Sequence, residues 1–343
     1  MHERLRFVDG LRGIAALLVV LYHFAGRLGL PLDALKLGDI GVGIFFVLSG
    51  FVITMTVSHH KALTFGFLGR FAARRAIRLD IPYWGSIAII VLIAAFGAKY
   101  GAKVPMPTLD QLGAHMIYAQ DFLGYVPISA VYWSLCFEVQ FYIFLVLLLM
   151  ILTRVFGSVV STGALLVFCG LLGLSLLERS VWHASPNGLA AVFWFNFAIG
   201  SMTYWVVAGQ ARPAYLFGCL APVVGTAVAT GDAFAYTAAS TAVALYGAHR
   251  LGKMQTWLSD SVSQFFGRTS YSMYILHSIF GWYAMSIAQK FVNDWLALLV
   301  GIATAIVAAW LGYLLVERPS IQLSRLVPLS PARASTVVRV PVT

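Results

Sequence analysis

The chain has 343 residues, of which 60% are hydrophobic and only 10% charged, with a formal net charge of +10. Soluble domains carry about 25% charged residues, so a water-soluble fold is excluded. The positive balance is not gathered into a basic domain with interleaved aromatics, so no nucleic-acid partner is expected.

Spans of roughly 20 apolar residues recur along the chain, whereas the alternating strands of ~10 residues that a barrel needs do not. The expected fold is all-α: a polytopic transmembrane helical bundle of about ten spans, near residues 11–30, 39–58, 80–98, 132–153, 156–177, 189–208, 214–230, 233–249, 270–289 and 295–316. With the N-terminus inside, seventeen of the 23 Lys and Arg residues fall on the cytoplasmic side. That bias places both termini in the cytoplasm. Residues 1–318 are expected to form the membrane domain and 319–343 a polar, disordered cytoplasmic tail. No A-x-A-like site follows the first apolar run, so it is taken as a retained helix. Cys136, Cys169 and Cys219 lie inside apolar segments, with neither a disulfide framework nor metal-ligand spacing. No metal is expected.

The first span carries Asp9, Arg12 and His23. Eleven residues separate Arg12 from His23, close to three turns, so the two share a face about 16 Å apart. Ionisable groups at such depth cost about 2.5 kcal/mol or more when unpaired and are read as functional. A histidine bonded to a neighbouring helix for packing alone is the competing reading. The second span opens with Gly41, Gly43, Ser49 and Gly50, small residues that favour close helix packing. A basic connector, His59 to Arg78, precedes the third span. Its Arg75 and Arg78 share a face close to an expected helix start, where an anion is favoured; lipid headgroups and a phosphate-rich soluble ligand both fit.

The connector from Lys99 to Ser129 is long for a bundle and is expected to cover the outer mouth as a lid or re-entrant segment. The fourth span begins Trp133, Ser134 and reaches Glu138 and Tyr142. Trp133 is expected at the outer interface, placing Glu138 about 7 to 8 Å deeper, at a depth compatible with His23. Residues 154–249 read as scaffold, with a short outer turn holding Glu178, Arg179, His183 and Asn187. The segment from Arg250 to Gln264 is expected along the inner interface. Beyond it Tyr271, Tyr274 and His277 share part of one helical face.

Together these motifs resemble the acyltransferase family 3 of integral membrane proteins. The matching elements are Asp9 to Gly13 followed by His23, the run from Phe45 to Phe51, Arg75 with Arg78, Trp133 to Tyr142, and the run ending at His277; the resemblance covers residues 5 to about 318. It implies transfer of an acyl group from cytoplasmic acyl-CoA, with acetyl-CoA as the expected donor, to a hydroxyl of a glycan, lipid-linked sugar or small molecule on the other side. The lipid bilayer is the remaining partner, and the bacterial inner membrane the expected location. An added extracytoplasmic esterase-like domain, which some members carry, is not expected.

On this reading Arg12, Arg75 and Arg78 hold the phosphates of the donor. His23 is the general base and Glu138 orients it; attack by His23 on the thioester is the alternative. Asp9, Trp133, Ser134, Tyr142, Tyr271, Tyr274 and His277 are expected to contact substrate or support these groups. A proton-coupled transporter using the same buried His and Glu is the competing class, although no internal repeat is evident.

Overall fold

The computed structural model describes residues 5–31, 36–60, 63–99, 105–182 and 188–329. Within them the chain is helical, without strands: α1 Arg6–Leu28, α2 Leu37–Ser58, α3 Phe65–Lys99, α4 Leu109–Met116, α5 Trp133–Phe156, α6 Thr162–Leu177, α7 Trp194–Val207, α8 Pro213–Thr230, α9 Ala233–Arg250, α10 Ser261–Ala288, α11 Asp294–Gly312 and α12 Arg318–Ser324. All but α4 and α12 overlap the expected spans, with α3 and α10 starting well before theirs. Eight are long and apolar enough to cross a membrane. The other two, α9 and α10, carry more polar residues, some exposed at their ends, such as His249, Arg250 and Arg268, and some buried by the bundle, among them Thr237 and Thr241 on α9 and Ser270, Ser272 and His277 on α10.

The core is organised around α1, which packs on both α2 and α10. α2 in turn meets α7 at very short range. A Cβ placed on Gly50 would lie 2.0 Å from the carbonyl oxygen of Phe197, and one on Gly200 the same distance from that of Val47. The small residues of α2 thus serve close packing, as their sequence pattern implies. Thr54 reinforces the crossing with a 2.7 Å hydrogen bond to Ser201.

Three expectations are corrected. The basic connector is not a loop: α3 begins at Phe65, so Arg75 and Arg78 lie ten and thirteen residues inside a 35-residue helix, away from its free N–H groups. Trp133 does not mark an outer interface. Its ring packs edge-on against Phe46 and Phe137, and Phe46 sits nine residues into the 22-residue α2, near its middle. The segment before Trp133 therefore dips into the bundle, with Tyr118 donating to Asp80 (2.9 Å) and stacking on Tyr83. The lid or re-entrant expectation is met in its second form; residues 100–104 lie outside the described set.

The third correction concerns the tail. α11 continues through a π-helical turn, Tyr313–Glu317, into α12, and residues up to Leu329 pack on α3, where the Leu329 carbonyl accepts from Arg70 Nε at 3.3 Å. A local reason is visible in the sequence of α3. Pro82 has no N–H, so the carbonyl four residues earlier, that of Arg78, loses its helical partner. Ser320 Oγ of α12 supplies one at 3.2 Å. Next to it the Leu79 carbonyl accepts from Tyr271 Oη of α10 at 2.8 Å. Residues 319–329 thus belong to the packed bundle rather than to the expected tail, and 330–343 lie outside the described residues. On the far side Arg179 pairs with Asp232; His183 and Asn187 also lie outside the described set.

Candidate active site

Two connected spaces run into the bundle from the end where α1 and α10 begin. The wider is a cavity of about 630 Å³ whose walls include Arg12, Arg74, Arg75, Arg78, Arg268 and Arg325, facing two carboxylates, Asp9 and Glu317. Deeper lies a passage of about 70 Å³. Arg12, Val52, Arg75 and Arg78 line both spaces, so three guanidiniums form a collar where the cavity narrows. α3 brings Arg75 and Arg78 there from consecutive turns of one face, and α1 brings Arg12 from across the cavity.

The collar is held by aromatic and acidic neighbours. The Arg75 guanidinium lies 5.0 Å from the Tyr142 ring and 5.6 Å from that of Phe71, a geometry that favours the cation. Tyr142 donates its hydroxyl proton to Glu138, which also accepts from Ser49 Oγ at 2.6 Å. Glu317 is buried and accepts from both the backbone N–H (3.1 Å) and the hydroxyl (2.6 Å) of Ser272. Farther along the passage Tyr274 donates to the Val131 carbonyl at 2.9 Å, so the Ser134 hydroxyl, 2.6 Å from Tyr274 Oη, is the donor in that contact. Phe45 meets Tyr274 edge-on at 5.7 Å between ring centroids.

His23 stands beyond this point, paired with His277 rather than with Glu138. Its Nδ1 is 3.0 Å from the Val19 carbonyl and 3.3 Å from His277 Nε2. A carbonyl only accepts, so Nδ1 carries the hydrogen. His277 is fully buried, and its Nδ1 faces the carbonyls of Met273 (3.0 Å) and Tyr274 (2.9 Å). By the same argument that nitrogen is the donor, which leaves His277 Nε2 as an acceptor for His23. The tautomer of His23 is thereby fixed, with its Nε2 lone pair engaged by no described residue. The link back to the passage runs through Tyr274, whose ring centroid is 6.4 Å from that of His277.

The structure therefore brings Arg12, Arg75, Arg78, Glu138, Tyr142, Ser134, Tyr271 and Tyr274 around the passage, and His23 with His277 beyond it. Asp9 lines the outer cavity, and Trp133 packs in the aromatic core. The expected contact between Glu138 and His23 is not formed. Depth along two helices says nothing about which way each is rotated, and Glu138 turns toward α2. Sequence reasoning missed Glu317, Arg268 and Arg325. Glu317 had a signal, a lone carboxylate ending the last apolar run; the two arginines had none beyond their charge.

An all-α polytopic bundle with a cationic cavity at one end and a histidine pair deeper within defines an integral membrane protein with an internal polar site. The family model for the acyltransferase domain matches residues 5–314, and the chain belongs to this family of membrane acyltransferases. It is 28% identical to a protein of Komagataeibacter xylinus described as a membrane-bound transacylase, BcsY, over 96% of this chain and 86% of that one. It is 24% identical to nodulation protein 10 of Rhizobium leguminosarum bv. viciae, over 92% and 93% of the two chains. No solved structure matches the chain.

Proposed function

We propose that this acyltransferase takes an acyl group, acetyl, from acyl-CoA on the cytoplasmic side and transfers it to a hydroxyl of a glycan, lipid-linked sugar or small molecule outside. The carrying observation is the six-arginine cavity that narrows through a three-guanidinium collar toward the histidine pair. Guanidiniums bind phosphate bidentately, and a pyrophosphate ligand with a thin arm matches a wide cationic space followed by a narrow one. This reading sets the protein in the bacterial inner membrane with both termini cytoplasmic, an orientation that the bias of basic residues supports.

In this mechanism Arg12, Arg75 and Arg78 grip the donor phosphates, and the arm runs through the passage between α2, α3, α5 and α10, with Arg12 of α1 at its entrance. His23 Nε2 takes the proton of the acceptor hydroxyl as its oxygen attacks the thioester carbonyl. The Val19 carbonyl and His277 Nε2 both face the Nδ1 hydrogen and together stabilise the imidazolium that forms. When the carbon–sulfur bond breaks, the proton on His23 Nε2 passes to the departing thiolate, and the base is regenerated. Glu138 acts on the donor side, holding Tyr142 beneath Arg75.

Purified protein in detergent, given acetyl-CoA, should release free CoA when an acceptor hydroxyl is supplied. Transport of an unmodified solute, with no CoA released under any acceptor, would replace this reading with the transporter.

A further inference from the structure

The six arginines of the cavity are not equivalent in depth. Arg12, Arg75 and Arg78 line both the cavity and the passage, whereas Arg74, Arg268 and Arg325 line the cavity alone. Arg74, beside Arg75 on α3, is half-buried like the first three, and of the six Arg268 and Arg325 are the two exposed ones. They also come from different parts of the chain: Arg268 from the second turn of α10, Arg325 from the residue that follows α12. Neither is in an ion pair with a carboxylate among the described residues.

Their placement is built. α12 is tied to α3 through the Ser320 bond to the Arg78 carbonyl, which Pro82 leaves without a helical partner, and the chain after Arg325 is tied by Arg70 to the Leu329 carbonyl. α10 is seated against α1 where Gly267, next to Arg268, approaches Asp9 so closely that a Cβ would lie 2.3 Å from the Asp9 carbonyl oxygen. Two cations thus stand on the exposed part of the cavity wall, on segments whose backbone is held in place, separate from the collar. A ligand carrying one phosphate cluster would use the collar and leave the mouth without a counter-charge. A ligand with a second, separate phosphate would use both.

We propose that Arg268 and Arg325 form a second phosphate subsite, which binds the phosphate on the ribose of coenzyme A while the collar binds its pyrophosphate. The assignment rests on the acyl-CoA reading above and extends it to the orientation of the donor: adenosine end at the mouth, thioester end in the passage. It also gives the C-terminal segment from 318 to 329 a part in donor binding.

The test compares acetyl-CoA with acetyl-dephospho-CoA, which lacks only the ribose phosphate. Wild-type enzyme in nanodiscs of zwitterionic lipid should bind acetyl-CoA about tenfold more tightly, as a charge-assisted contact at a partly solvated site allows. Arg268→Ala and Arg325→Ala should each lose most of that preference, weakening acetyl-CoA and leaving acetyl-dephospho-CoA where it was; lysine at either position should restore part of it. Equal weakening of both donors, or of neither, would overturn the subsite while leaving acyl-CoA as donor. Loss of anionic-lipid retention in mixed-lipid nanodiscs, with donor preference intact, would assign the two arginines to lipid headgroups and overturn it as well. A wild type that binds neither donor would remove the acyl-CoA reading itself.

Discussion

The His23 imidazole has one nitrogen committed to Val19 and His277 and the other left for chemistry. His23→Ala should lower kcat by about 10² to 10⁴-fold, the contribution of a positioned base, with donor affinity largely unchanged because the arginine collar is about 16 Å away along α1. Radiolabelled acyl donor without acceptor separates the mechanisms: a general base leaves no label, whereas label on His23 would show an acyl-imidazole. His277→Ala removes one of the two acceptors facing Nδ1–H, leaving the Val19 carbonyl, and should cost about 10- to 100-fold in kcat, as loss of a histidine-orienting partner does. His277→Asn, which keeps a side-chain oxygen, should recover part of it; equal losses in the two variants would reduce His277 to packing. Glu138→Gln should act differently, raising the KM for donor, since Glu138 touches Ser49 and Tyr142 on the passage wall. An effect confined to kcat would return Glu138 to the side of His23. Arg12 and His23 were legible because one helix fixes their spacing. The partner of His23 was not, because it depends on how α10 is rotated against α1, and both carboxylate and imidazole partners satisfied the depth argument.

Among the elements, the α2–α7 crossing depends on backbone proximity more than on side chains. Gly50→Ala would drive a methyl into the Phe197 carbonyl, and Gly200→Ala would do the same at Val47. Each should destabilise by about 1 to 3 kcal/mol, the usual cost of overpacking, seen as a lower unfolding temperature in detergent. Gly170→Ala on α6, where a Cβ would meet nothing within 4 Å, should leave the midpoint unchanged. Similar shifts in all three would mean the crossing is looser than described. The glycines of α2 were legible as packing residues, but α7, their partner, was a featureless apolar run that named no contact. α3 was misread for a physical reason. Its first three turns are basic, and a hydropathy reading ends a span where charge begins, although a helix can continue past the bilayer core. Pro82 sits inside that helix and reads as a breaker, yet here α12 satisfies the carbonyl that it frees.

For the whole molecule, orientation decides whether the cationic cavity can meet a cytoplasmic donor. Arg12 near the start of α1, Arg78 on α3, Arg268 near the start of α10 and Arg325 after α12 all line one cavity, so these helix ends lie at one end of the bundle. Seventeen of 23 basic residues fall on that side in the N-inside arrangement, which is the bias expected of a cytoplasmic face. The ten long helices return the chain after α11 to the end where α1 begins, and the α12 contact with α3 beside the collar agrees with that count. The overall bundle was legible because apolar runs recur along the chain; for the segment before Trp133 its length left lid and re-entrant open, and its buried polar residues, His115 and Gln120 among them, gave no sign of which. A reporter fused after Thr343 should therefore be active in its cytoplasmic form. One inserted at Thr108, the residue that caps α4, should be active only in its extracytoplasmic form. Reversal at both sites would turn the arginine cavity outward, where a cytoplasmic acyl-CoA cannot reach it, and the proposed direction of transfer would fail.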